Sequence, residues 1–262
     1  MQPIRKYPRT THLEGSGLQA DDDPNTAAWS TLAGQHLLIE EKMDGANCGI
    51  SFAADGTLRL QSRGHVLSGG PRERQFDLFK RWASHHVDRL FDLLTDRYVL
   101  YGEWLYGKHS IFYTDLPHYL MEFDMFDQQT GQFLSTPRRH ALLSHAPWVV
   151  SVAVLYEGSL SDLAALTKLV GPSQFIAPTQ RADLLAAAAA QGYDPLLAER
   201  ESDLSGLMEG LYIKVEDEQQ VLGRYKYVRP GFLQTVLDSG SHWMDRPLIP
   251  NRLRAEVDLW AH

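Results

Sequence analysis

The sequence places one lysine between acidic side chains at a point where a strand is expected to end. Lys42 directly follows Glu41, comes shortly after the apolar run Leu37-Leu38-Ile39, and precedes Asp44-Gly45, a dipeptide typical of a tight turn. A lysine in this setting is either one partner of a surface ion pair, which contributes little to stability, or a nucleophile. Because a lysine amine has a reference pKa of about 10.4, a nucleophilic lysine needs neighbours that favour its neutral form.

Two cations far along the chain have the spacing to act as such neighbours. Period-two alternation places Leu222, Arg224 and Lys226 on one face of an expected strand, so two cationic heads project into the same space. Nearby cations lower the pKa of an amine, and they also attract phosphate. If that space is the mouth of a cleft that contains Lys42, then Arg224 and Lys226 can depress the pKa of Lys42 and bind a phosphate group.

Composition bounds the class of protein. The 262 residues are 44% hydrophobic, enough for one sizeable core, and the single cysteine, Cys48, excludes an internal disulfide and favours a reducing cytosol. The N-terminus lacks a secretory apolar core and no apolar stretch is long enough to span a bilayer, so we expect a soluble protein. The net charge of −8 argues against a protein that binds nucleic acid over its whole surface, but it is compatible with a local basic groove. We interpret the acidic run Asp21-Asp22-Asp23 as solvated loop.

The element pattern predicts an α+β fold built on antiparallel sheet. Two short alternating runs flank Asp55-Gly56 and indicate a hairpin, with Arg63 on the polar face of the second run. Helical spacing covers 72–95, and strands are expected in 98–107, 118–127, 148–156, 209–216 and 220–228. Two helices are expected in 159–171, with a serine cap, and in 181–192.

Six polar motifs occur in a fixed order along these elements. Together they resemble the nucleotidyltransferase motifs of the covalent ligase and capping-enzyme superfamily, and within it the ATP-dependent RNA ligases of the RNA ligase 2 type. Asn47, which follows Lys-Met-Asp-Gly-Ala, matches the form of the first motif in that branch. The resemblance runs from about residue 36 to 229. Its motifs are Lys42-Met43-Asp44-Gly45, Ser62-Arg63-Gly64, Tyr101-Gly102-Glu103-Trp104, Phe123-Asp124, Glu209-Gly210-Leu211-Tyr212-Ile213-Lys214 and Arg224-Tyr225-Lys226.

The resemblance implies a fold, a reaction and a set of site residues. Antiparallel sheets flanked by helices are expected to form an ATP cleft, as in the adenylation domains of DNA and RNA ligases. Lys42 attacks the α-phosphorus of ATP to give lysyl-AMP. The AMP then passes to the 5′-phosphate of RNA, and a 3′-hydroxyl displaces it. A divalent cation, Mg²⁺ or Mn²⁺, neutralises the phosphate charge.

By resemblance, each further motif residue has a role in the cleft. Glu103 contacts the ribose, Phe123 stacks on adenine, and Glu209 organises the metal and the phosphates. Arg63 meets the incoming phosphate. The remaining cofactor-binding residues are Glu41, Asp44, Asn47, Lys214, Arg224 and Lys226.

Several of these assignments carry an alternative from the residues themselves. Phe123 lies in an apolar stripe and could be core, and Asn47 could merely cap a turn. Strand parity sets Lys214 opposite Glu209, so without a bulge the two do not both face a ligand. Arg224 stands where the family usually has lysine, and its planar guanidinium group will not behave identically to a lysine ammonium group.

The chain divides into three expected parts. Residues 1–35 are a lead-in, 36–230 form the nucleotidyltransferase domain with a helical insert at about 157–200, and 231–262 are a short extension. We expect no oligonucleotide-binding barrel after Lys226, because such a barrel needs five strands of about five residues each. A protein partner or a structured RNA would then supply substrate grip. The alternatives are a partner-dependent DNA-nick ligase, an adenylyltransferase that stops at lysyl-AMP transfer, and a non-catalytic nucleotide-binding relative.

Overall fold

The computed structural model describes residues 4–18, 25–238 and 247–261, so the acidic run at 21–23 lies outside the described residues. The strands are β1 (Thr11–Leu13), β2 (Thr26–Ala27), β3 (Leu37–Lys42), β4 (Ala46–Phe52), β5 (Leu58–Ser62), β6 (Tyr98–Trp104), β7 (Leu120–Asp127), β8 (Gln132–Phe133), β9 (Val150–Ser151), β10 (Val154–Gly158), β11 (Gly210–Glu216) and β12 (Val221–Val228). The α-helices are α1 (Asp77–His85), α2 (Val87–Leu94), α3 (Thr136–Leu143), α4 (Leu163–Thr167), α5 (Gln180–Ala190), α6 (Pro195–Arg200) and α7 (Pro230–Asp238), and Trp29–Thr31 and Pro71–Phe76 are 3-10 turns.

The strands form two sheets. Sheet A has the order β10-β3-β11-β12-β1-β2; its central strands are antiparallel, and β1 pairs in parallel with β12 and β2. Sheet B has the order β5-β4-β6-β7-β8, all antiparallel, with β9 added in parallel to β7. The predicted α+β architecture built on antiparallel sheet is confirmed.

Local sequence signals account for the hairpin between β4 and β5. Gly56 has φ of +80°, a left-handed conformation that glycine adopts without strain, and the Thr57 N–H donates to the Asp55 side chain. The predicted hairpin is therefore present. The expected helix over 72–95 divides into a 3-10 turn followed by α1 and α2.

The apolar run at 148–156 is not the single buried strand that its sequence predicts. It contains β9, which belongs to sheet B, and β10, which belongs to sheet A. Val152 is buried between them, whereas Val154 is 37% exposed. The run therefore carries the chain from one sheet to the other, a change of partner that β-branched composition cannot signal. The helix cap in 159–171 was also predicted wrongly, because Asp162, and not a serine, accepts the Ala165 N–H.

Sheet A has an apolar outer face and a polar inner face. Leu37 and Ile39 of β3 and Leu211 and Ile213 of β11 pack into one buried cluster. Because side chains alternate along a strand, Glu40 and Lys42, and likewise Tyr212 and Lys214, project to the opposite face. This is the face turned toward sheet B, so charged groups rather than aliphatic ones lie between the sheets.

A buried arginine connects the two sheets. Arg139 of α3 donates from Nη2 to Glu40 of sheet A at 2.7 Å and from Nη1 to Glu122 of sheet B at 3.2 Å. All three side chains are buried. The two carboxylates and burial act on the arginine in opposite directions, and the net effect raises the pKa of Arg139.

Two further cations extend this network toward the cleft. Lys214 Nζ lies 2.9 Å from Glu40 and donates to the Phe123 carbonyl, and Arg224 Nε donates to Asp124 at 2.8 Å. Despite burial, Lys214 and Arg224 hold the pKa of Asp124 below its usual range. Glu40, Glu122 and Asp124 thus each have a cationic partner.

Among the residues described, no helix is long and apolar enough to cross a membrane.

Replacing Arg139 with methionine should destabilise the fold strongly. The substitution keeps the volume but leaves Glu40 and Glu122 buried without their shared cation, and breaking a buried pair costs about 3 to 5 kcal/mol. Arg138→Met on the same helix is the matched control, because Arg138 is partly exposed and, within the described residues, donates to the Gln219 carbonyl alone. The free energy of unfolding from urea titration distinguishes them; equal losses in both variants would contradict the structural role of the network.

Candidate active site

The predicted nucleophile lies where the chain crosses from one sheet to the other. β3 ends at Lys42 in sheet A, and β4 begins at Ala46 in sheet B. Gly45 is required in the crossing because a Cβ there would lie 2.7 Å from Leu105 Cδ2 and 2.8 Å from the Trp104 carbonyl oxygen. The dipeptide therefore serves a close backbone approach between sheets, and Gly45 does not have the positive φ of a tight turn.

Asp44 fixes this crossing. One of its carboxylate oxygens accepts the Ser110 and Ile111 N–H groups at 2.7 and 2.6 Å, and its own N–H donates to the Tyr113 hydroxyl at 2.9 Å. The side chain is thereby occupied by backbone contacts. Asp44 holds Lys42 in place through the backbone and does not line the cavity described next.

A cavity of about 1030 Å³ opens between the two sheets. Ligand sites for small molecules typically have about this size. Of the predicted site residues, the cavity is lined by Glu41, Lys42, Asn47, Arg63, Glu103, Phe123 and Lys226. The others, Asp44, Glu209, Lys214 and Arg224, are absent from its wall.

Lys42 is paired with Glu209. The Lys42 Nζ lies 2.6 Å from Glu209 Oε1, and the lysine side chain keeps 24% of its surface exposed toward the cavity. Strand alternation does not constrain Glu209, because β11 begins one residue later, at Gly210. Burial alone would lower the pKa of Lys42, but Glu209 and Glu103 outweigh it, so the pKa is raised. The expectation that cations depress the pKa of Lys42 is wrong, because the neighbouring carboxylates raise it.

Arg224 and Lys226 share a face, as alternation predicts, but they do different things. Lys226 lines the cavity, whereas Arg224 turns to Asp124 and stacks on Phe133, its guanidinium carbon 3.8 Å from the ring centroid. Only one of the two predicted cationic heads therefore reaches the cavity wall. Lys214 is likewise fully buried in the network between the sheets, which separates it from the cavity.

Three acidic groups at the site have raised pKa values. Burial raises the pKa of Glu103 to about 8, and burial likewise raises the pKa of Glu41 and of Glu209 to about 7. Glu41 Oε1, Glu209 Oε2 and Asn47 Oδ1 are buried oxygens without a hydrogen-bond partner among the described residues. A buried unpaired acceptor is costly. These oxygens are therefore suited to a cation or to the hydrogen-bond donors of a ligand.

Aromatic side chains form the opposite part of the cavity wall. Phe123 lies edge-on to Tyr7, with ring centroids 5.3 Å apart, and 6.0 Å from the ring of Tyr212. The Tyr7 hydroxyl donates to Asp124 and lies 2.5 Å from the Tyr212 hydroxyl. Phe123 is thus both a core residue and part of the cavity wall, so its position is compatible with either of the roles considered from the sequence, packing in the core or stacking on a base.

Tyr7 was missed by the sequence reasoning, as was the neighbouring cavity residue Lys6. Both lie in a segment with turn-forming residues and no clear periodicity, so no short-range pattern indicates that it returns to the site. Asp124 was included in a motif, but its role as the partner of both Tyr7 and Arg224 depends on strands distant in sequence.

Residues 35–228 match the family model described as RNA ligase, which is well over half of the chain. No curated protein matches the sequence.

Solved structures give a likeness of fold. An apo mutant of the Naegleria gruberi RNA ligase is 16% identical with a TM-score of 0.51, and the alignment covers 80% of this chain and 53% of that one. A mutant of the same ligase with ATP and Mn is 14% identical with a TM-score of 0.52, covering 91% and 64%. A mutant with AMP and Mn is 15% identical with a TM-score of 0.52, covering 87% and 62%. The chain thus spans less than two thirds of these ligases, and the predicted ligase-type nucleotidyltransferase fold is confirmed.

Removing the carboxylate of Glu209 should lower the pKa of Lys42. The Glu209→Gln variant keeps the shape but removes the largest influence that raises this pKa. The pH dependence of the ¹³C shift of lysine ε-carbons, assigned with Lys42→Ala, measures the change. Glu256→Gln, an exposed site, is the control. An unchanged Lys42 titration in Glu209→Gln would refute the pairing.

Glu103 should make the protein less stable as the pH rises. Its folded pKa of about 8 lies above the usual value of 4.5, so between these pH values the folded protein holds a proton that the unfolded chain releases. The free energy of unfolding therefore falls from about pH 5 to pH 8. In Glu103→Gln this fall should be smaller, with Glu41 and Glu209 causing the remainder. Urea titrations across this range, with Glu256→Gln as control, test it; the same slope in all three proteins would contradict it.

Proposed function

The chain belongs to the RNA ligase family, and we propose that it is an ATP-dependent RNA ligase that joins a 3′-hydroxyl to a 5′-phosphate through lysyl-AMP and RNA-adenylate. The observation that carries the proposal is the position of Lys42. Its amine faces a cavity large enough for a nucleotide and lies 2.6 Å from a carboxylate. Similar folds have been solved with ATP and Mn and with AMP and Mn.

In the first step Lys42 Nζ forms a bond to the α-phosphorus of ATP, and the bond from that phosphorus to the pyrophosphate oxygen breaks. The amine must first lose a proton, and Glu209 Oε1 is the nearest base. Burial raises the pKa of Glu209 to about 7, which brings it closer to the pKa of the amine than an ordinary carboxyl would be. Proton transfer from Lys42 to Glu209 converts a charged pair in a poorly hydrated place into a neutral pair, and it leaves Lys42 Nζ with a free lone pair.

A divalent cation, Mg²⁺ or Mn²⁺, would neutralise the phosphate charge when bound. The described residues contain no group of three or more His, Cys, Asp or Glu side chains arranged to hold a metal ion. Glu209 Oε2 and Asn47 Oδ1 are nonetheless unpaired buried oxygens, the ligand type that hard cations prefer. We infer that Asn47 and the ionised form of Glu209 would hold this cation, with phosphate and water as its remaining ligands, as is common for Mg²⁺.

The other cavity residues each contact a different part of the nucleotide. Phe123 offers a ring face or edge to the base, and Glu103 offers a carboxyl to the ribose hydroxyls. Lys226, on the same face of sheet A as Lys42 and two strands away, is the cation placed for the α-phosphate. Arg63 at the rim would meet the 5′-phosphate of RNA. Arg224 and Lys214 act through the network, by positioning Asp124 and Phe123.

The proposed chemistry suits an enzyme of RNA repair. Ligation of 5′-phosphate and 3′-hydroxyl ends is a repair reaction for RNA. Cys48, the only cysteine, is buried and pairs with no other. A cytoplasmic RNA repair enzyme is consistent with these features.

Labelled ATP tests the proposal. With Mg²⁺ or Mn²⁺, the protein should acquire an acid-labile AMP label that Lys42→Ala abolishes, while Lys168→Ala, an exposed lysine remote from the cavity, retains it. A chase with 5′-phosphorylated RNA should remove the label and yield joined strands. No label, or label that persists in Lys42→Ala, would overturn the nucleophile. Release by DNA alone, or by neither polymer, would instead favour a DNA-nick ligase or another adenylyltransferase.

A further inference from the structure

Residues 4–10 cross from one sheet to the other at the rim of the cavity. On sheet B, the Tyr7 N–H donates to the Arg63 carbonyl at 3.2 Å, and the Tyr101 hydroxyl donates to the Arg5 carbonyl at 2.8 Å. On sheet A, the following strand β1 pairs in parallel with β12. We call residues 4–10 the crossing segment; they lie outside the 35–228 range of the family match.

The crossing segment brings two cations to the cavity beside a third. Lys6 and Arg9 line the cavity and are exposed, as is Arg63. Arg63 Nη2 donates to the Pro8 carbonyl at 3.3 Å. The Lys6 stem passes Gly64, where a Cβ would lie 3.9 Å from Lys6 Cδ. The Arg63 hydrogen bond and the position of Lys6 beside Gly64 thus place these two side chains, with Arg9, along one rim.

These three cations have no acidic partner within the described part of the chain, where the ion pairs involve none of them. Lys80 and Arg181, by contrast, are paired with Glu73 and Glu199. In a protein with a net charge of −8, three such cations along one cavity rim form a local positive region. It attracts anions to the mouth of the cavity.

We propose that Lys6 and Arg9 join Arg63 in a phosphate-binding rim that holds the backbone of the RNA strand entering the cavity. This assignment rests on the proposed function. Lys42 and Lys226 lie on the wall formed by sheet A and serve the nucleotide, whereas the rim consists of long, exposed side chains, which suit contacts with a solvated polynucleotide backbone. The rim gives an acidic protein a grip on RNA from within its own chain.

The test compares two double variants that remove the same charge. Lys6→Ala/Arg9→Ala alters the rim, and Lys168→Ala/Arg200→Ala removes two exposed cations from the helical region. Binding of a fluorescent 5′-phosphorylated single-stranded RNA is measured by anisotropy over a range of salt. Each lost phosphate contact removes about 0.7 from the slope of log affinity against log salt, so the rim variant should lose about 1.4 and the control nothing.

A second readout separates the sources of phosphate. Single-turnover rates are measured for self-adenylylation with ATP and for transfer of AMP from the labelled protein to RNA. The rim variant should lose mainly the second rate. Equal losses in both rates would show that the cations bind the phosphates of ATP. Equal salt slopes in the two double variants would refute a phosphate-binding role for the rim. Failure of the wild type to label Lys42 would sink the proposed function, while the binding measurement would still decide the rim.

Discussion

The structure depends on charge balance in a place where most proteins have an aliphatic core. Arg139 holds a carboxylate from each sheet, and two other cations compensate the remaining charge, so that no member can be removed without leaving an ion uncompensated. These contacts tie the two sheets together next to the cavity, whose wall includes Glu40. The members are Arg139, Lys214, Arg224, Glu40, Glu122 and Asp124.

The same balance explains the resting state of the candidate nucleophile. Lys42 is held as an ammonium by Glu209 and Glu103, and the carboxyls around it have raised pKa values because they are buried. The amine is thus masked by its pairing with Glu209. Under the proposed function, phosphates entering the cavity would bring new charges to these carboxylates before the amine reacts.

Sequence patterns predicted the secondary-structure elements well wherever the signal was local. The hairpin at Asp55-Gly56, the α+β class and the shared face of Arg224 and Lys226 all follow from turn chemistry and alternation. Alternation does not predict how deeply a side chain is buried. It places Lys214 and Arg224 on the inner face of sheet A, but it does not show that they join the buried ion-pair network and not the cavity wall. That depends on Glu40 and Asp124, which come from other strands. The return of Tyr7 to the site, and the change of sheet within 148–156, are equally non-local.

The short link between the sheets also limits how the protein can move. From Lys42 to Ala46 the chain has four peptide steps of at most about 3.5 Å each, and Gly45 is packed against the backbone of Trp104. The sheets are therefore tethered beside Lys42 and cannot separate at this point, so any relative movement of the two sheets is smallest at the candidate nucleophile.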